Sequence, residues 1–288
     1  MKISIMTVMA PDLKLDKLVN IMKEAGYDGI EPAVGYNKAL WNEKEEWHIS
    51  TANIEEDLKN LKKLCGDKIK IVSLASSFPP KDLQYLERAF AACQSVGCPM
   101  ARVGIPLYDA DSSVRYKDLF NEGLKDLEKA AVLSKKYNVK SVIETHMYNI
   151  IPSASAAYRL VSNFDPAYVG VVYDAANAVV EGAENYGVDL LDKYIAHVHV
   201  KNVKWTPDPK GVPGYCSTGL WEWSWENTAK GIVNWKQVIK ALRKINYSGA
   251  LSFEDFEGGY RMVPVGLTTE EKIKKDYSFI KKILEEVK

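Results

Sequence analysis

The chain has 288 residues, 47% of them hydrophobic and 26% charged, with 38 Lys and Arg against 38 Asp and Glu. A formal charge of zero excludes the basic footprint of a nucleic-acid binder at the whole-chain level, and this apolar content excludes disorder. No run of about 18 apolar residues occurs, so no membrane-spanning helix is expected.

Taken in order, short β-branched runs alternate with amphipathic stretches of period near 3.6. A strand over 3–8 precedes a helix over 13–25 that carries Leu15, Leu18, Val19 and Met22 on one face. Strand 29–31 precedes helix 54–64, with Ile54, Leu58, Leu61 and Leu64 in phase. Strand 69–75, helix 81–96, strand 100–105, helix 119–137, strand 141–145 and helix 154–163 follow. Strand 169–174, helix 190–194, strand 196–200, helix 235–245, strand 250–253 and helix 270–287 complete the pattern. Gly26, Gly97, Asn138 and Asn246 stand where helices stop. Eight βα repeats predict one parallel sheet closed into a (β/α)8 TIM barrel, a single α/β domain over 1–288. The turn after the first strand reads TVMAPDLK, with no GxGxxG or P-loop, so no nucleotide cofactor is expected. Residues 201–233, rich in Pro, Gly and Trp, read as a long irregular loop at the catalytic mouth. The N-terminus lacks the length and cleavage site of a secretory signal. Cys65, Cys93, Cys98 and Cys216 form no CxxC pair. Reduced thiols in a cytoplasmic protein are therefore expected.

Barrel chemistry sits at the C-terminal strand ends. Four successive strands end there in ionisable groups: Glu144 and His146, then Asp174, then His199, then Glu254. Three carboxylates crowded in one mouth repel each other, and a divalent cation removes the conflict. Three oxygen ligands and one imidazole favour Mn2+, with Mg2+ or Co2+ next, over Zn2+. The competing reading is a carboxylate network neutralised by Lys201 and Arg261. His197 shares a strand face with His199 and is expected about 6–7 Å deeper, either bonded to an interior neighbour as part of the core or supporting the metal site from behind.

The segments VIETH, YDAAN, HVHVKN and GIVNWKQVIKALRKINYSGALSFED resemble the xylose-isomerase-like barrel superfamily, specifically its sugar phosphate isomerase/epimerase group. The resemblance covers essentially the whole chain and implies that Glu144, Asp174, His199 and Glu254 bind one divalent metal. Glu144 and Glu254 would also be acid and base, as in the ketose 3-epimerases of the group. Those enzymes carry His three residues after the strand-six Asp, Arg six after the strand-seven His and Glu six after the strand-five Glu. Here the positions hold Asn177, Trp205 and Ile150. The ETH form at His146 is similar to branches containing keto-inositol dehydratases and lyases of 3-oxo-glycosides.

The expected function is therefore a metal-dependent isomerase or epimerase of a sugar or keto-polyol, acting through a metal-stabilised enediolate. The alternative is a lyase that expels a β-leaving group from the same intermediate. His146 is a candidate base or acid, or else a clamp on substrate. Asn177, Lys201, Glu31, Trp205 and Arg261 are further candidate contacts to a small carbohydrate. Trp205, Trp221, Trp223 and Trp225 read as a stacking lid, a subunit interface or loop packing. Trp41, Trp47 and His48 also reach the mouth, and Gly258-Gly259-Tyr260-Arg261 suits a phosphate. The superfamily's apurinic endonucleases need more His and a basic groove than four His and zero charge supply. A non-catalytic carbohydrate-binding barrel would have no use for the four ligands. Homo-oligomerisation or a partner subunit stays open.

Overall fold

The computed structural model describes all residues except 36–47, 110–111, 148, 182–185, 212, 215–216, 258–265 and 288. Eight parallel strands wrap in chain order: β1 (Lys2–Met6), β2 (Gly29–Glu31), β3 (Lys70–Ile71 and Leu74–Phe78), β4 (Met100–Val103), β5 (Lys140–Glu144), β6 (Val169–Asp174), β7 (Ile195–Val200) and β8 (Ala250–Phe253). Only Val72 and Ser73 separate the two pieces of β3. One piece pairs with β2 and the other with β4, while β1 pairs with both β2 and β8, so the barrel closes. The expected α/β barrel is the observed fold.

Parallel strands need helical crossovers, and the helices lie outside. They are α1 (Leu15–Ala25), α2 (Ile54–Cys65), α3 (Leu83–Val96), α4 (Tyr116–Tyr137), α5 (Ala154–Val161), α6 (Ala175–Glu181), α7 (Gly187–Leu191), α8 (Trp235–Lys244) and α9 (Thr269–Glu286). Each long helix buries one face: α1 turns Leu18, Val19, Ile21 and Met22 onto the strands. Gly26, Gly97, Asn138 and Asn246 all have positive φ, the left-handed stop that their residue types favour. Residues 190–194, expected as one helix, divide between the end of α7 and a 3-10 turn over Asp192–Tyr194.

The expectation of an irregular loop over 201–233 is corrected. Asn202–Pro207 pairs antiparallel with Trp221–Glu226, and Pro213–Gly214 and Ser217–Thr218 extend the same four-stranded sheet. Alternation along the last strand puts Trp221, Trp223 and Trp225 on one face. Trp221 is exposed, Trp223 is buried, and Trp225 packs 5.2 Å from the Phe256 ring. Asn202 pins the base of this sheet: its amide donates to the Thr228 carbonyl at 2.9 Å and its oxygen accepts from Val233 N at 2.8 Å. A Cβ on Gly231 would lie 2.2 Å from Asn202 Oδ1 and 2.6 Å from Val203 O, so only glycine allows this approach.

Among the described residues, no helix is long and apolar enough to cross a membrane. Cys65, Cys93 and Cys98 are free and buried, and Cys216 lies outside the described residues.

Candidate metal centre

The last residues of β5 and β6, the penultimate position of β7 and the residue after β8 meet at the mouth. The barrel register aligns His199 with Asp174 on one side and with Ser252 on the other. One ligand atom from each of Glu144, Asp174, His199 and Glu254 lies within 4.8 Å of the others. His199 Nδ1 is 3.0 Å from Glu144 Oε1, 3.4 Å from Glu254 Oε2 and 3.7 Å from Asp174 Oδ2. Asp174 and His199 are 0% exposed, whereas Glu144 and Glu254 retain 7% and 6%, so the glutamates form the upper rim.

Local structure explains these positions. Asp174 ends β6 and at once caps α6: its Oδ1 accepts from Asn177 N at 2.8 Å, which leaves Oδ2 for the centre. Asn177 turns inward, its amide donating to Thr145 O at 3.1 Å and reaching Glu144 Oε1 at 3.5 Å. Lys201, fully buried, lies 2.8 Å from Asp174 Oδ2 and 2.7 Å from Glu254 Oε2. Its ammonium also sits 4.8 Å from the Trp225 ring, so the antiparallel sheet meets the centre here.

Sequence reasoning missed Arg102. It lies within β4, level with Val142 and so two residues below Glu144, and its guanidinium binds Glu144 Oε2, Ser76 O and Ser77 Oγ. Arg102 supplies a second counter-charge beside Lys201; Arg261 lies outside the described residues, with Gly258, Gly259, Trp41 and Trp47. The detectable signal was a lone Arg in an otherwise apolar strand.

Electrostatics follow from this packing. Burial alone would raise the Glu144 carboxyl, but Arg102 and His199 hold it well below the usual carboxylate range. Burial likewise opposes ionisation of Glu254, and Lys201 with His199 lowers it. Burial would strip Lys201 of its proton, but Asp174 and Glu254 keep it firmly charged. Glu31, Glu144, Asp174 and Glu254 place four carboxylates here against two permanent cations, Lys201 and Arg102. Two negative charges remain, and three carboxylate oxygens with one imidazole converge. The donor set therefore fits a divalent ion.

The remaining candidates fall in different places. His146 is partly exposed; its Nδ1 donates to Met147 O at 2.8 Å, which directs Nε2 away from the backbone. Glu31 is fully buried on His197 and His199, below the mouth. His197 is interior and bonded to that neighbour, as its alternation with His199 requires. Trp205 pairs with Trp223 across the antiparallel sheet and packs on the main core. His48 donates to Leu13 O at 2.9 Å.

Comparison with known proteins agrees with this architecture. The chain is 27% identical over 146 residues to an inosose dehydratase of Lactiplantibacillus plantarum, 46% of each sequence. It is 28% identical over 169 residues to an inosose dehydratase of Halalkalibacterium halodurans, 54% of each. The matches thus span about half the length of these curated relatives. Among solved structures, the IolI protein with a bound zinc atom superposes with a TM-score of 0.76 at 17% identity, covering 100% of this chain and 99% of that one. The D-psicose 3-epimerase of Clostridium cellulolyticum H10 gives 0.70 at 14% identity, with 99% of each covered. The family model described as xylose isomerase-like TIM barrel matches residues 19–283, and the chain belongs to that family.

Proposed function

We propose that the protein is a metal-dependent enzyme that removes a proton beside the carbonyl of a small keto-polyol and expels a β-hydroxyl as water. The convergence of Glu144, Asp174, His199 and Glu254 on one point carries this reading. These four residues would hold the ion, with Mn2+ the first choice and Mg2+ or Co2+ next. When bound, the ion supplies a Lewis acid that acidifies the carbon next to a carbonyl.

The chain's own residues divide the remaining work. Glu144 is tied to Arg102, His199 and Asn177, and Glu254 to Lys201. Carboxylates so paired are weak bases. His146 differs: with Nδ1–H given to Met147 O, its Nε2 is the basic nitrogen. His146 Nε2 takes the α-proton. Lys201 Nζ, fully buried and held charged beside Glu254 and Asp174, fixes those two carboxylates, and His146 Nε2–H returns the proton to the departing hydroxyl oxygen as the C–O bond breaks. Trp225 and Phe256 flank that ammonium and exclude water from it. The two relatives named inosose dehydratase support elimination and a cyclic keto-polyol as substrate class.

Epimerisation is the second reading. Glu144 and Glu254 stand on β5 and just after β8 as the least buried members of the cluster, where two bases could address opposite substrate faces. A panel of keto-inositols, ketoses and oxidised glycosides, incubated with Mn2+ in deuterated water and followed by NMR, separates the two. Loss of water from a keto-inositol supports elimination. Deuterium at an inverted carbon without loss of water supports epimerisation and refutes elimination.

A further inference from the structure

Glu31 ends β2, three strands round the barrel from β7, yet its carboxylate reaches both histidines of β7. Its Oε2 lies 2.9 Å from His197 Nε2 and 3.1 Å from His199 Nε2. All three side chains are fully buried, so Glu31 cannot meet a substrate. A carboxylate only accepts, so both Nε2 atoms carry protons directed at it. An imidazole anchored through Nε2 presents Nδ1 on its other side. His199 Nδ1 is the atom that faces Glu144, Glu254 and Asp174.

We propose that Glu31 is the positioning residue of the metal centre: it fixes the His199 ring so that Nδ1, and not Nε2, is its ligand atom. His197 steadies Glu31 from deeper in the barrel. Among the described residues Glu31 Oε1 has no hydrogen-bond partner, and the carboxylate's bonds to them run through Oε2 to the two rings. An isolated buried carboxylate is costly, and the two N–H donors offset that cost here. A carboxylate behind a ligating imidazole orients the ring and raises its basicity, and losing such a partner weakens metal affinity by about 10–100-fold. This inference rests on the metal reading of the cluster, but the Glu31–His199 contact is measurable without any metal.

The test uses full-length protein with 15N-labelled histidine, in which four rings are easily assigned. Imidazole N–H signals and Zn2+ affinity are measured for wild type, Glu31→Gln and His197→Gln. In wild type, the His199 Nε2–H should appear downfield and protected from exchange, with or without Zn2+. Added Zn2+ should shift Nδ1 and leave the Nε2 proton in place. Glu31→Gln should lose the protected signal and bind Zn2+ about 10–100-fold more weakly. His197→Gln should keep the His199 signal and stay within about threefold of wild-type affinity, and it serves also if Glu31→Gln fails to fold. Zn2+ shifting Nε2 in wild type, unchanged affinity in Glu31→Gln, or loss of the His199 signal in His197→Gln would each overturn the proposal. A protected Nε2–H with an Nδ1 that ignores Zn2+ would refute the metal reading and uphold the contact.

Discussion

At the scale of residues, His146 and Glu144 share a strand end but stand in different surroundings. Glu144 is spent on Arg102 and His199, while among the described residues His146 gives Nδ1 to a backbone carbonyl. A positioned general base contributes about 10²–10⁴-fold to rate. His146→Ala should therefore lower kcat by about that factor and leave the circular dichroism spectrum and the metal content unchanged. Near-normal turnover would remove His146 from the chemistry. The four cluster residues were legible in the sequence because each stands at or just beside a strand end, where a barrel gathers its polar groups. Arg102 was not, because it lies inside β4 and is aimed at its neighbour's carboxylate by register alone. Glu31 was read as a substrate contact because nothing local reveals that β7 presents two imidazoles to it across the barrel.

At the scale of elements, the 202–226 sheet was hidden by its composition. Pro, Gly and Trp read as loop, yet the period-2 spacing of Trp221, Trp223 and Trp225 is a strand signature. The helix α6 was missed for a different reason: Asp174 is both the last residue of β6 and the cap of α6, so no turn residues announce the change. Asn202 holds the antiparallel sheet to the barrel through bonds to Thr228, Val233 and Val203. Asn202→Ala leaves buried backbone groups unpaired, at about 1–3 kcal/mol for each group. Chemical denaturation should show a loss of about 2–4 kcal/mol with the barrel still folded. Trp225 fluorescence should change, because that ring contacts Lys201 and Phe256. An unchanged midpoint and spectrum would mean that Asn202 does not anchor the sheet.

At the scale of the whole molecule, the closed barrel was foreseeable because eight apolar runs alternate with eight amphipathic stretches. Its pH response was not, since it depends on groups brought together from distant segments. Asp276 of α9 is buried beside Asp255, and burial followed by the Asp255 charge pushes its carboxyl well above the usual range. The unfolded chain releases this proton near pH 3.9 while the native chain retains it. The native state then binds more protons, so this group's contribution to stability falls as pH rises above about 4. Asp276→Asn should raise the melting temperature at pH 7 and have little effect at pH 4, which thermal unfolding followed at the two pH values measures. An equal shift at both pH values would show that Asp276 is ionised in the native state.

The proposed centre unites these scales, because β5, β6, β7 and β8 bring one residue each to the cluster only when the barrel is closed. Metal content, measured after loading with Mn2+ and exhaustive dialysis, tests this most directly. Wild type should retain one ion per chain, and a folded Asp174→Asn variant should retain none. Wild type without metal, or the variant with as much as wild type, would contradict it.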